Sequence, residues 1–155
     1  MKVISKSLEE TEKIAGEFIE KISMGIYNGA VVVGLYGDLG SGKTTFTQCV
    51  ARLLGIKEDI TSPTFVIEKR YQIDNLLFLA GQATLNFKLS TFIHIDAYRL
   101  ESSKEAKSLG WNEISTNPQN IIFIEWPERI LDILPENHIK LNFKFISENE
   151  REIEF

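Results

Sequence analysis

Apolar residues recur at helical spacing in two stretches of the chain and form short, nearly continuous runs elsewhere. From Ser7 onward, Thr11, Ile14, Ala15, Phe18 and Ile22 fall on one stripe, which predicts an amphipathic helix laid against a sheet. Ser7-Leu8-Glu9-Glu10 reads as its capping box, with Ser at the N-cap and Glu at N3, and Tyr27-Asn28-Gly29 ends it. Ala30-Val31-Val32-Val33-Gly34-Leu35 is apolar and β-branched and predicts the first core strand. Phe46, Cys49, Val50, Leu53 and Leu54 then return to helical period, with Gly55 as the stop.

Beyond that helix the text becomes strand-like. Pro63 disfavours the α region at Ser62, so Thr61-Ser62-Pro63-Thr64-Phe65 is expected to be extended and to present three hydroxyls. Strands are predicted at Phe65–Glu68, Leu76–Leu79 and Thr91–Asp96, with turns at Asp74-Asn75 and Ala80-Gly81. Ser102-Ser103-Lys104-Glu105 opens a short helix that closes near Gly110. Asn120–Glu125 is apolar enough for a strand buried on both faces, terminated by Trp126-Pro127. His138–Phe145 alternates, which predicts a half-exposed strand, and Arg151–Phe155 reads as a final strand paired with it.

Composition places this pattern in one domain spanning residues 1–155, with 43% hydrophobic residues to form its core. The net charge of −5 argues against a chain that grips nucleic acid directly. A single cysteine, Cys49, excludes an internal disulfide and suits a reducing compartment; its place on the apolar side of the second helix marks it as a structural thiol. No apolar run approaches membrane-spanning length and the first residues lack a hydrophobic leader, so a cytoplasmic location without membrane contact is expected. With two histidines and one cysteine there is no zinc set. His94, between Ile93 and Ile95, reads as a satisfied structural histidine.

Between the first core strand and the second helix lies Gly37-Asp38-Leu39-Gly40-Ser41-Gly42-Lys43-Thr44-Thr45, a complete G-x-x-x-x-G-K-S/T phosphate loop in the strand–loop–helix setting that the motif requires. Glycines let the backbone take positive φ and approach a phosphate with no Cβ in the way. Successive N–H groups at a helix N-terminus then form an anion-binding nest. In that chemistry Lys43 reaches the β- and γ-phosphates, the Thr44 hydroxyl ligates Mg²⁺, and Thr45 offers a second donor nearby. Two predicted strands, Phe92–Asp96 and Ile121–Glu125, end in carboxylates, and ligands of α/β sheets bind off the C-terminal strand ends. One acid would hold the metal and the other would orient or deprotonate an attacking water.

Four classes of nucleotide protein compete. A small GTPase needs an Asn-Lys-x-Asp and a D-x-x-G, and Asp96-Ala97-Tyr98-Arg99 lacks the glycine. A small-molecule or nucleotide kinase normally carries an Arg-rich lid, whereas Arg52, Arg70, Arg129 and Arg151 are scattered; it remains the alternative. A degenerate binding protein is disfavoured because Lys43 and Thr44 are both intact. An ATPase is the reading left.

The phosphate loop, Ser62-Pro63-Thr64-Phe65, His94-Ile95-Asp96-Ala97-Tyr98-Arg99-Leu100 and Ile124-Glu125-Trp126-Pro127-Glu128 follow one another in an order that resembles the TsaE (YjeE) family of tRNA threonylcarbamoyladenosine biosynthesis. The resemblance implies an α/β, P-loop NTPase-like three-layer sandwich, its central sheet mainly parallel with an antiparallel extension. It implies a Mg²⁺-dependent ATPase, weak alone, that works with TsaB and TsaD and meets tRNA only through that complex. By position, Thr44 and Glu125 are similar to the family's Mg²⁺ ligands, and Asp96 to its acid for hydrolysis. Trp126 matches the accompanying aromatic, and Ser62–Thr64 the segment that senses the γ-phosphate. Glu10 and Thr11 match the stretch bordering the adenine, and Arg151 a late nucleotide contact. The chain departs from the family in a longer stretch from Leu79 to Thr91, and in carrying Lys104 and Lys107 where acids are usual.

Overall fold

A computed structural model describes residues 1–63, 67–73 and 89–155. In chain order the elements are β1 (Lys2–Ser5), α1 (Leu8–Ser23), β2 (Val31–Tyr36), α2 (Lys43–Leu53), β3 (Glu68–Gln72), β4 (Thr91–Asp96), α3 (Ser103–Ser108), α4 (Trp111–Thr116), β5 (Asn120–Glu125), β6 (Ile139–Phe145) and β7 (Arg151–Glu154). Two single-turn 3₁₀ segments, Pro127–Arg129 and Leu131–Ile133, link β5 to β6.

The strands form one sheet in the order β1-β7-β6-β2-β5-β4-β3. Its centre, β6-β2-β5-β4, is parallel, and β1, β7 and β3 add antiparallel edges. Period-two alternation divides the apolar residues of the central strands between two cores. Val31, Val33, Leu35, Ile121 and Phe123 face a cluster shared with α1 and α2. Val32, Ile93, Ile95, Ile122 and Ile124 face a second cluster with Trp111 and Ile114 of α4 and Ile130. The three-layer α/β sandwich and the mainly parallel sheet with antiparallel additions are as the sequence predicts.

At the centre of the first core, Phe18 of α1 is fully buried and meets Phe46, Phe123 and Phe155 edge-on at 5.8, 6.2 and 5.3 Å. Removing such a ring forfeits transfer energy and leaves a cavity that three neighbouring rings cannot fill. Phe18→Ala is therefore expected to cost about 3–5 kcal/mol, read as a lowered urea midpoint.

Several boundaries differ from the sequence reading. α1 is capped as expected, since Ser7 Oγ accepts from Glu10 N–H at 3.1 Å, but it ends at Ser23 rather than at Tyr27-Asn28-Gly29. β3 begins at Glu68, the last residue of the predicted strand Phe65–Glu68, after Ile67 takes a left-handed φ of 67°; residues 65–66 lie outside the described residues. β3 is a sheet edge that buries only Tyr71, so its polar text EKRYQ carries no apolar run. The helix expected from Ser102 to near Gly110 is α3, which ends at Ser108 as predicted; a further short helix, α4, follows Gly110, whose φ is 87°. β1 was not anticipated from the pattern. β7 stops at Glu154, and Phe155 N–H bonds to Met1 O. Residues 64–66, the predicted strand Leu76–Leu79 with its flanking turns, and residues 79–88 of the longer stretch lie outside the described residues.

Candidate functional site

The phosphate loop leaves the end of β2 and opens α2 at Lys43, with Gly42 as its left-handed N-cap at φ 103°. Gly37 is tighter still: at φ 136°, a Cβ there would stand 2.3 Å from Phe143 O, so only glycine passes. Parallel register brings the strand-end acids to this loop, because Asp96 pairs directly with Glu125 and Leu35 lies beside Glu125 on the other side. The loop, the acids and the start of α1 enclose a cleft of about 670 Å³.

Inside the cleft the side chains are already ordered. Thr44 Oγ1 donates to Glu125 Oε1 at 2.8 Å, so the two residues expected to hold Mg²⁺ touch. Asp96, 4% exposed, accepts from Tyr98 N–H at 2.9 Å through Oδ1 and from Ser62 Oγ at 3.1 Å through Oδ2. Ser62 reaches Asp96 because Gln48 of α2 donates to Ile60 O at 2.8 Å and ties that segment to the helix. Thr64, the other hydroxyl expected to sense the γ-phosphate, lies outside the described residues.

Lys43 is folded back on its own loop. Nζ donates to Gly37 O at 2.6 Å and Asp38 O at 2.9 Å and lies 4.5 Å from the centre of the Trp126 ring. Burial pushes its ammonium below the ordinary lysine range, while Glu125, Glu128, Asp96 and Asp38 pull it back up. Trp126 holds a left-handed backbone, φ 59° and ψ 48°, and stacks obliquely with Tyr98 at 5.2 Å. A bulky residue in that conformation is strained, and strain of this kind gathers at binding sites.

The predicted nucleotide contacts divide. Leu39, Gly40, Ser41, Gly42, Lys43, Thr44, Thr45, Thr11 and Arg151 line the cleft. Gly37 and Asp38 are not among the lining residues and act through the carbonyls that hold Lys43. Glu10 is not brought to the cleft: its carboxylate accepts from Lys6 N–H at 2.7 Å on the exposed side of α1. Thr11 is buried and shares a 2.7 Å hydrogen bond with Ser5 Oγ. Arg151 lays its stem along Gly42, while Nη1 donates to Ser147 O, Glu148 O and Glu150 O and braces the β6–β7 turn. Among the described residues it is the only arginine lining the cleft.

His94, expected from sequence to be a satisfied structural histidine, is fully buried with Nε2 3.0 Å from Glu125 Oε1, while Nδ1 has no partner among the described residues. H-x-D on a strand points the His94 and Asp96 side chains to one face. Cys49 is buried as expected, and burial raises its thiol above the ordinary range.

These residues fit the groups that the motif implies. Ser41 lines the cleft, and its buried Oγ has no hydrogen-bond partner among the described residues, a donor that a bound phosphate could satisfy. Thr44 and Glu125 offer hard oxygen ligands beside a second carboxylate. No group of three His, Cys, Asp or Glu forms a metal cage among the described residues. Mg²⁺ is commonly held by one or two protein oxygens together with substrate phosphates, a role that Thr44 and Glu125 could fill. Among the described residues no helix is long and apolar enough to cross a membrane.

Comparison with known proteins covers nearly the whole chain. Residues 5–153 match the family model described as threonylcarbamoyl adenosine biosynthesis protein TsaE. The chain is 36% identical over 147 residues to the tRNA threonylcarbamoyladenosine biosynthesis protein TsaE of Bacillus subtilis, covering 95% of this chain and 79% of that one. It is 33% identical over 156 residues to the protein of the same name from Treponema pallidum, with 99% and 98% covered. Its fold is similar to a crystal structure of Bacillus subtilis YdiB, with a TM-score of 0.65 and 28% identity over 99% of this chain and 82% of that one.

Proposed function

The chain belongs to the TsaE family of tRNA threonylcarbamoyladenosine biosynthesis, and from that membership we propose that it is the ATP-binding and ATP-hydrolysing component of that machinery. Residues 1–155 act as one ATPase domain, in the cytoplasm, with TsaB and TsaD as partners and tRNA reached only through their complex. The observation that carries the nucleotide part is the meeting of Thr44, Glu125 and Asp96 at the mouth of the glycine loop.

The chain's own residues divide the work. Backbone N–H groups from Gly40 to Thr45, with the Ser41 hydroxyl, receive the phosphate oxygens. Lys43 exchanges the two loop carbonyls for phosphate oxygens, so its buried charge meets an anion rather than dipoles. Thr44 and Glu125 would hold Mg²⁺, which supplies charge neutralisation to the phosphates when bound. Asp96 orients the attacking water and accepts its proton; Ser62 and the Tyr98 N–H fix the direction of its carboxylate. Trp126 and Tyr98 line the cleft with Thr11 and Arg151; by the family resemblance the latter two would border the base.

The kinase alternative predicts phosphate moving to a small acceptor. Having only Arg151 on the cleft wall, the described residues assemble no Arg-rich lid over the donor phosphates. Membership of the complex is checked by co-purifying tagged protein from its own cells. TsaB and TsaD are expected to follow it, and depletion is expected to lower threonylcarbamoyladenosine in bulk tRNA. Unchanged tRNA modification after depletion would reject the assignment.

A further inference from the structure

Resting on the nucleotide-site reading above, we infer that His94 is a positioning residue for Glu125, its Nε2–H fixing the carboxylate that would hold the cation with Thr44. Two donors converge on one oxygen: Thr44 Oγ1 at 2.8 Å and His94 Nε2 at 3.0 Å, both on Glu125 Oε1. No hydrogen bond from the described residues reaches Oε2, which is thereby left for an external partner. A carboxylate only accepts, so Nε2 is the ring nitrogen that carries the hydrogen.

The placement is hard to explain as packing. His94 lies on the strand face of β4 that also carries Phe92, and Phe123 is its register partner on β5. An apolar side chain would fill that position with no polar atom to satisfy. The imidazole instead buries Nδ1 with no partner among the described residues, a desolvation penalty that they do not relieve. What the ring gains for this is one bond, to Glu125. Alternation along β4 puts His94 and Asp96 on one face, so the same strand anchors the cation-side acid and presents the water-side acid. Groups that hold a metal ligand from behind are typically worth about 10–100-fold in metal affinity or activity.

The test uses the unmodified full chain together with His94→Leu and His94→Gln. Titration with a non-hydrolysable ATP analogue, with and without Mg²⁺, measures the gain in nucleotide affinity that the cation confers. His94→Leu is expected to keep Mg²⁺-free affinity within about twofold while losing about tenfold or more of the Mg²⁺-dependent gain and of turnover. His94→Gln, which returns an N–H donor, is expected to recover part of both. Imidazole ¹⁵N shifts of the unmodified protein are expected to show hydrogen on Nε2 and a bare Nδ1. A purely structural role would move neither the cation-dependent increment nor its recovery by glutamine. Wild-type Mg²⁺ response and turnover in His94→Leu would overturn the inference while leaving the nucleotide site intact. A hydrogen found on Nδ1 with Nε2 bare would overturn it even if His94→Leu did not fold. An unmodified protein that binds no nucleotide would remove the site reading and this inference together.

Discussion

Lys43→Ala is expected to lower affinity for ATP by about 100-fold or more, to the limit of detection by isothermal titration. Lys43 is the loop's own cation, only 4% exposed, and burial has already cost it part of its hydration. In the structure that cost is offset by two carbonyls and the face of Trp126. A triphosphate offers full negative charges in their place, and charge-assisted bonds in a partly dry cleft are the strong ones. The loss must be separated from collapse of the loop, because Lys43 also ties down Gly37 O and Asp38 O. Lys43→Met keeps the stem packed under Trp126 without the charge. It is expected to lose nucleotide as completely as alanine does, with a smaller fall in thermal midpoint.

Asp96→Ala is expected to bind ATP within a few-fold of the natural chain and to hydrolyse it about 10²–10⁴-fold more slowly. Its carboxylate is aimed by two donors of fixed position, the Tyr98 N–H and the Ser62 hydroxyl. Neither bond involves the phosphate loop, so truncation leaves the cradle of Gly40 to Thr45 in place. Asp96→Asn separates geometry from basicity. Its amide oxygen still accepts from Tyr98, yet it cannot take a proton from water. Asparagine is therefore expected to be nearly as slow as alanine in a phosphate-release assay.

The parts of this site that were legible in the sequence are those fixed by short-range rules. Glycine spacing, Lys43 and Thr44 define the loop without tertiary information. The continuous apolar runs of β2 and β5 announce strands covered on both sides. Asp96 and Glu125 were legible as strand-end acids, and the parallel register that makes them neighbours follows from the fold class. What escaped detection depends on partners distant in sequence. β1 is four residues long and exists through its pairing with β7 at the other end of the chain. β3 is a polar edge strand recognisable only from its place beside β4. The bond of His94 to Glu125 was not legible because that partner lies 31 residues away on another strand. Glu10 was matched to the adenine border by resemblance alone, whereas its carboxylate accepts from the Lys6 N–H, just outside the N-cap Ser7.

In the proposed reaction water attacks the γ-phosphate of ATP while Asp96 takes its proton. Following γ-labelled ATP with Mg²⁺, alone and with the partner proteins, tests it most directly. The label is expected to appear as inorganic phosphate with the natural chain, and to remain bound as ATP with Asp96→Ala. Label on a small acceptor, or phosphate released at the natural rate by Asp96→Ala, would exclude hydrolysis with Asp96 as the base.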